Sequence, residues 1–436
     1  MQALLIFLLF FFVLSILGKV PVAYGLAAGC IAGFAFSKMS LLSMAQSAYS
    51  SLDSLPYLAV LFFILGGTIM EHSGISRQLM EFVNSIAGRF RGSIGLVTVV
   101  TSAAFGVLTG SVLATISAVG KIVLPEMRRK EYGNEYSAGL LTATSILGIL
   151  IPPSVPGIMY ALSSGMKVSE VWLSTVGPAL ILAVLYGICN YWIIGRQEEK
   201  APPITASAYF GNIGKKTREA LPALLMPIII FGGIYGGFCT PTEAGAVSVV
   251  YGFAYYLVMK LRKAPGITSN VREIIISSSI TTATIALLIV FAGTTSRVIA
   301  KAGASTALTT FVMEHAGGKW GFLIIVNILF LFVGTFLDIN AAVLILIPLL
   351  TSTVDALGIS QTHFAAISLL NLCIGFMTPP FASALFLGVK ICDSNFAGTV
   401  KRMLPFLACG LITLVLVTIF PQIAEFFPKL LGGAAA

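Results

Sequence analysis

The chain has 436 residues, of which 57% are hydrophobic and only 10% charged. A soluble domain carries about 25% charged residues, so this composition excludes one and points to a polytopic membrane protein. The net charge of +9 does not call for a nucleic acid, because most Lys and Arg fall in loops assigned to one side of a bilayer.

A crossing needs about 20 apolar residues. The N-terminal run Met1 to Leu17 lacks a basic start and a small-residue cleavage site, so it reads as a first span and not a signal peptide. Spans are predicted at 2–17, 21–37 and 54–72, followed by an amphipathic interfacial stretch carrying Arg77, Glu81, Arg89 and Arg91. Ile94 to Val107 is apolar for only about 14 residues, roughly 21 Å as a helix, short of the roughly 30 Å hydrocarbon core. With the tip Thr109-Gly110-Ser111 and a second short arm, 93–127 reads as a re-entrant hairpin; one full span plus an interfacial helix is the alternative. A broken helix is predicted over 135–163, interrupted at Gly148-Ile149-Leu150-Ile151-Pro152-Pro153, and a span at 170–194 closes a first half covering 1–195.

Residues 196–219, with Arg196, Lys200, Pro202-Pro203, Lys215, Lys216 and Arg218, read as a cytoplasmic linker. The second half, 220–436, repeats the plan. Spans are predicted at 221–238, 242–259 and 274–298. A hairpin follows at 319–350 around Gly334-Thr335-Phe336-Leu337-Asp338-Ile339-Asn340, then a broken helix at 362–390 and a span at 402–420. The elements Gly148–Pro153 and Gly375–Pro380 lie 227 residues apart, and Pro21/Pro241, Gly67/Gly293 and Pro125/Pro348 keep nearly the same offset. Five crossings and one hairpin per half make an inverted-topology repeat, with about ten crossings in all. Placing both termini outside puts 20 of the 26 Lys and Arg on the cytoplasmic face.

Adjacent prolines remove backbone donors and unwind a helix, which lipid tolerates only beside protein or a water-filled cavity. Carbonyls and hydroxyls freed there suit a hard cation such as Na⁺, and half-helix N-termini suit a carboxylate. The candidate substrate contacts are therefore Thr109, Gly110, Ser111, Ser154, Thr335, Asn340, Thr378 and Pro380. The candidate Na⁺ ligands, for two or more ions, are Gly110, Ser111, Ile151, Pro152, Gly334, Thr335, Asp338, Thr378 and Pro379. Asp338 is an acid at membrane depth and a functional candidate for that reason. Thr115 or a neighbour is expected to stand in its place in the first half. Glu71 and Arg297 read as interface anchors, and Thr240-Pro241-Thr242-Glu243 as a helix cap. Six dispersed cysteines, isolated His72, His315 and His363, and the lack of a nucleophile–base pair or phosphate loop argue against an enzyme.

The stretches TPTEAGA at 240–246, ILIPPS at 149–154, LTGSVLATISAVGKIVLPEM at 108–127 and TPPFASALF at 378–386 together resemble the large membrane subunit of the tripartite ATP-independent periplasmic (TRAP) transporters. The resemblance covers essentially the whole chain. It implies an inner-membrane, Na⁺-coupled importer of a small organic acid such as a C4-dicarboxylate or sialic acid. It also implies a small four-helix membrane subunit as partner, a periplasmic binding protein that delivers substrate, and an elevator in which hairpins and broken helices move together. Many members carry a Ser-Ser-Ala-Asp type run after the first tip, where this chain has Ser111-Val112-Leu113-Ala114-Thr115. A stand-alone Na⁺/dicarboxylate symporter of similar architecture is the alternative.

Overall fold

The computed structural model describes residues 6–431 except 8, 12, 15–19, 38, 197, 199–204, 264–266, 268–269 and 381. The predicted first span therefore lies largely outside the described residues, as do Lys19, Lys38, Lys200, Pro202-Pro203 and the last five residues. Every regular element among the described residues is helical.

Helix α1 (Val22–Phe36) is followed by α2 (Leu41–Leu52), which the sequence reading lacks; Ser40 starts it by accepting the Ser43 amide at 3.1 Å. The span α3 (Leu55–His72) leads into α4 (Ile75–Ala87), whose residues Ile75, Leu79, Met80, Val83 and Ala87 form one buried stripe. Helices α5 (Ser93–Thr109) and α6 (Val112–Arg129) form the first hairpin, turned at Gly110 with φ +57°. The first broken helix comprises α7 (Asn134–Ser145), α8 (Leu147–Leu150) and α9 (Val155–Ser164), bent by 46° at the prolines. Helix α10 (Val168–Asn190) ends in a π turn at Tyr191–Gly195.

In the second half, α11 (Ala206–Tyr235) starts at Thr205, inside the predicted linker, so 206–219 is helical. Its Lys, Arg and Glu residues are good helix formers, and their polarity marks an exposed extension of a span. Then come α12 (Pro241–Leu261), α13 (Val271–Lys301) and an unpredicted α14 (Ala304–His315). The second hairpin is α15 (Gly318–Phe336) and α16 (Ile339–Ala356), and the second broken helix is α17 (Gln361–Met377) and α18 (Ser383–Cys392). Helix α19 (Phe396–Ile419) is followed by α20 (Gln422–Leu431), also absent from the sequence reading.

Among the described residues eight helices are long and apolar enough to cross a membrane, and the bent pair in the first half makes a ninth. The arms of the second hairpin have 19 and 18 residues, longer than the 14 or fewer read from sequence, and each meets the length of a span. The helix runs through Gly334 to Phe336, and Pro348 sits inside the return arm instead of ending it.

Glycine sets the packing. In α3 and α12, a Cβ on Gly66 would meet Ser248 Oγ at 2.7 Å, and one on Gly252 would meet Ile69 at 3.3 Å. In the first half α5 lies on α8 through Gly106 against the Gly148 backbone. In the second, α15 lies on α17 through Gly334, where a Cβ would come within 3.0 Å of the Gly375 Cα. The halves also interlock, since α9 packs on α16 and α18 packs on α6.

Candidate transport site

The two hairpin tips face one cavity of about 650 Å³. Thr109, Gly110 and Ser111 line it from the first tip, and Asp338, Ile339 and Asn340 from the second. Val155 and Pro156 add the start of α9, while Thr68 and Glu71 of α3 and Ser277, Thr281 and Thr284 of α13 form the facing wall.

Each tip is built by its own chemistry. Gly110 takes the left-handed conformation that glycine accepts without strain, and a Cβ there would meet the Pro153 carbonyl oxygen at 2.6 Å. The tip thus rests directly on the first proline break. Ser111 caps α6, its Oγ accepting from the Ala114 amide at 3.5 Å and its carbonyl from the Thr115 hydroxyl at 2.8 Å. Asp338 caps α16, accepting from the Asn340 amide and from Asn340 Nδ2, both at 2.9 Å. The counterpart of Asp338 in the first half is therefore Ser111, not Thr115, because both occupy the N-cap of the return arm. Asp338 is exposed to the cavity, and the buried Asn340 Oδ1 has no hydrogen-bond partner. A carboxylate with an unpaired amide oxygen beside it is an oxygen donor set of the kind a hard cation accepts, so the residues of this tip fit Na⁺.

The other candidates are placed behind this lining. The Ser154 hydroxyl caps α9, accepting from the Gly157 amide at 3.2 Å, and its carbonyl accepts from Trp172 Nε1 at 3.0 Å. Thr335 donates to the Phe332 carbonyl at 2.8 Å and Thr378 to the Ile374 carbonyl at 2.7 Å. Ile151, Pro152, Gly334, Pro379 and Pro380 likewise do not line the cavity. The Pro152–Pro153 and Pro379–Pro380 peptides are both cis.

Sequence reasoning missed the facing wall. Glu71 opens on the cavity instead of anchoring an interface. Ser277, Thr281 and Thr284 fall on one face at helical spacing, and the run SSSITTAT inside an apolar span was their available signal. The TPTEA stretch is structural in its contacts. Thr240 Oγ1 accepts from the Glu243 amide at 3.3 Å and Glu243 accepts from the Thr240 amide at 2.8 Å, a capping box. Thr242 donates to the Leu55 carbonyl at 2.9 Å and ties α12 to the start of α3.

Among the described residues the fold is all-helical, and two hairpin tips and a helix break line one cavity, the arrangement of a membrane transporter. The chain belongs to the family described as Tripartite ATP-independent periplasmic transporter, DctM component, which it matches over residues 8–423. It is 32% identical to the sialic acid TRAP transporter large permease protein SiaM of Vibrio cholerae, over 89% of this chain and 90% of that protein. It is 31% identical to the C4-dicarboxylate TRAP transporter large permease protein DctM of Pseudomonas aeruginosa, over 93% of each. Among solved structures, the Alcanivorax borkumensis YdaH transporter is similar in fold, with a TM-score of 0.62 and 15% identity over 88% of this chain and 89% of that one.

Proposed function

We propose that the chain is the substrate-translocating subunit of a Na⁺-coupled importer in a bacterial inner membrane, with both termini periplasmic. A periplasmic binding protein delivers a small organic acid, and a small four-helix membrane subunit completes the assembly. The relatives that carry sialic acid or C4-dicarboxylate in their names support that substrate range. The observation that carries the reading is the convergence of Thr109–Ser111 and Asp338–Asn340 on one cavity. Asp338 and Asn340 would hold one Na⁺, whose charge offsets that of a bound carboxylate. Ser111 and the backbone oxygens of the first tip would hold another. The first turns of α6 and α16 present amides suited to the carboxylate. In this reading 1–195 and 220–436 are inverted repeats, and the hairpins move with the broken helices as an elevator past α3, α12 and α13.

Proteoliposomes test it. Uptake of N-acetylneuraminate or succinate by the chain with its membrane partner and binding protein is expected to require an inward Na⁺ gradient. Equal uptake in K⁺ would contradict the coupling, and full uptake by the chain alone would favour a stand-alone symporter.

A further inference from the structure

We propose that a second cavity, between α7, the π turn after α10 and the start of α19, holds the headgroup of an anionic phospholipid. This site is separate from the transport cavity and does not depend on the reading of that cavity.

The second cavity has a volume of about 680 Å³. Its lining joins Glu135 and Tyr136 of α7, Ile193 of the π turn, and Asn395, Lys401 and Arg402 at the start of α19. Arg128 Nη2 donates to the Cys392 carbonyl at 3.5 Å, and Asn134 Nδ2 donates to the Asp393 carbonyl at 3.3 Å. These bonds gather the loops before α7 and before α19 at one end of the fold, beside the end of α10. Trp192, next to Ile193 of the lining, is exposed, and the Arg196 guanidinium carbon lies 3.5 Å from its ring centroid. An exposed tryptophan at the end of a span settles at the headgroup level of a bilayer, so the cavity opens at that level.

The lining carries unmatched charge. Lys401 and Arg402 are exposed, and neither has an ion pair among the described residues. Glu135, whose Cγ stands 2.9 Å from a Cβ built on Gly398, has none either. Two cations against one carboxylate leave one positive charge over. The Tyr136 hydroxyl is committed to Asn190 Oδ1 at 2.9 Å. Asn395 Oδ1 accepts the Gly398 amide at 3.0 Å, which leaves Nδ2 to donate into the cavity. A phosphodiester carries one negative charge and only acceptor oxygens, so it complements this set, and the hydroxyls of a glycerol headgroup can donate to Glu135. A zwitterionic headgroup has no net charge and leaves the surplus cation unmatched. Basic pockets between spans at this depth take acidic headgroups for that reason.

The same face of α19 continues into the membrane as apolar surface. At helical spacing from Lys401 and Arg402 come Pro405, Ala408, Ile412 and Val415, all exposed. From Pro405 to Val415 this stripe runs roughly 15 Å, half of the roughly 30 Å hydrocarbon core and so the depth of one leaflet. A soluble phosphate would use the cations and leave the stripe uncovered, whereas a phospholipid uses both.

The test uses the purified full chain in dodecyl maltoside micelles doped with rising mole fractions of phosphatidylglycerol or phosphatidylethanolamine, and reads the thermal unfolding midpoint. Phosphatidylglycerol is expected to raise the midpoint to a plateau, and phosphatidylethanolamine to have little effect. The double variant Lys401→Gln, Arg402→Gln is expected to need roughly thirtyfold more phosphatidylglycerol for the same rise, the product of two basic residues' attraction to an anionic membrane surface. Lys215→Gln with Arg218→Gln, which removes as much charge from α11 and away from the cavity, is expected to respond as the parent does. Glycerol 3-phosphate, which lacks acyl chains, is expected to have no effect. Equal responses to the two lipids, or equal weakening by the two double variants, would reduce the effect to diffuse attraction and overturn the proposal. Glycerol 3-phosphate acting as phosphatidylglycerol does would assign the cavity to a soluble phosphate instead. A Lys401, Arg402 double variant that keeps the lipid response but no longer co-purifies with a membrane partner would assign the surface to that protein.

Discussion

Gly334 of the second hairpin and Gly375 of the second broken helix meet backbone to backbone, so that a Cβ on Gly375 would stand 2.8 Å from the Gly334 Cα. In the first half a Cβ on Gly106 would meet the Gly148 backbone, while one on Gly148 would meet Thr115 of the return arm. These four glycines fix how far each hairpin tip reaches along its partner, and so where the tips meet the cavity. Gly375→Ala is expected to push backbone from backbone, costing about 1–3 kcal/mol as overpacking does and lowering the unfolding midpoint. Gly232→Ala, in a helix with nothing within 4 Å of the added Cβ, is the control and should be neutral or stabilising.

Gly110→Ala separates tip geometry from overall stability. The added methyl meets the Pro153 carbonyl and the left-handed backbone disfavours it, a backbone cost of about 1–2 kcal/mol. The expected outcome is a protein that still inserts and purifies but takes up its substrate at a small fraction of the parent rate. Transport at the parent rate would show that the tip need not touch the proline break.

Thr240→Ala removes one side of the capping box at the start of α12 and is expected to cost about 1 kcal/mol. Because Thr240 does not line the cavity, the Na⁺ dependence of uptake should be unchanged. A shifted Na⁺ dependence would mean that this motif acts on transport directly.

The charged cluster on α4 predicts a pH effect. Burial alone would raise the Glu81 carboxyl, but hydrogen bonds from Lys216 at 2.8 Å and Arg77 at 3.0 Å outweigh it and hold the group below its ordinary 4.5. A depressed folded value means that the stabilisation is present above about pH 4.5 and is lost as the pH falls through the folded value. The midpoint of the parent chain should therefore exceed that of Glu81→Gln at neutral pH, and the two should converge under acid. Screening of these partly exposed charges keeps the difference small and salt-sensitive.

Much of this fold was legible because proline and glycine act locally. The broken helices and the tips were found from Pro152-Pro153, Pro379-Pro380 and Gly110, whose backbone effects need no tertiary context. Helices α2, α14 and α20 were not found, being short and held by packing; α20, for example, lies against Gly177 of α10 through Ile423. The hairpin arms read too short in the sequence because a polar or glycine residue resembles a helix end, where the helix continues through Thr335. The site was legible by half. Asp338 stood out as a charge at membrane depth, but the hydroxyls of Thr335 and Thr378 bond to their own helices, a choice their sequence does not reveal. Glu71 and Thr281 lie some 200 residues apart in the chain, and only the packing of α3 and α13 around the tips brings them to one wall.

The most direct test of the account is a Na⁺ titration of the purified chain, read as the rise in unfolding midpoint, with K⁺ as control and Asp338→Asn beside the parent. Asparagine still caps a helix well but has lost the charge. The account predicts that Na⁺ and not K⁺ stabilises the parent, and that Asp338→Asn needs about tenfold more Na⁺ for the same rise, the loss of about 1.4 kcal/mol of binding. Coincident Na⁺ curves for the two proteins, at equal folding, would contradict a cation site at the second hairpin tip.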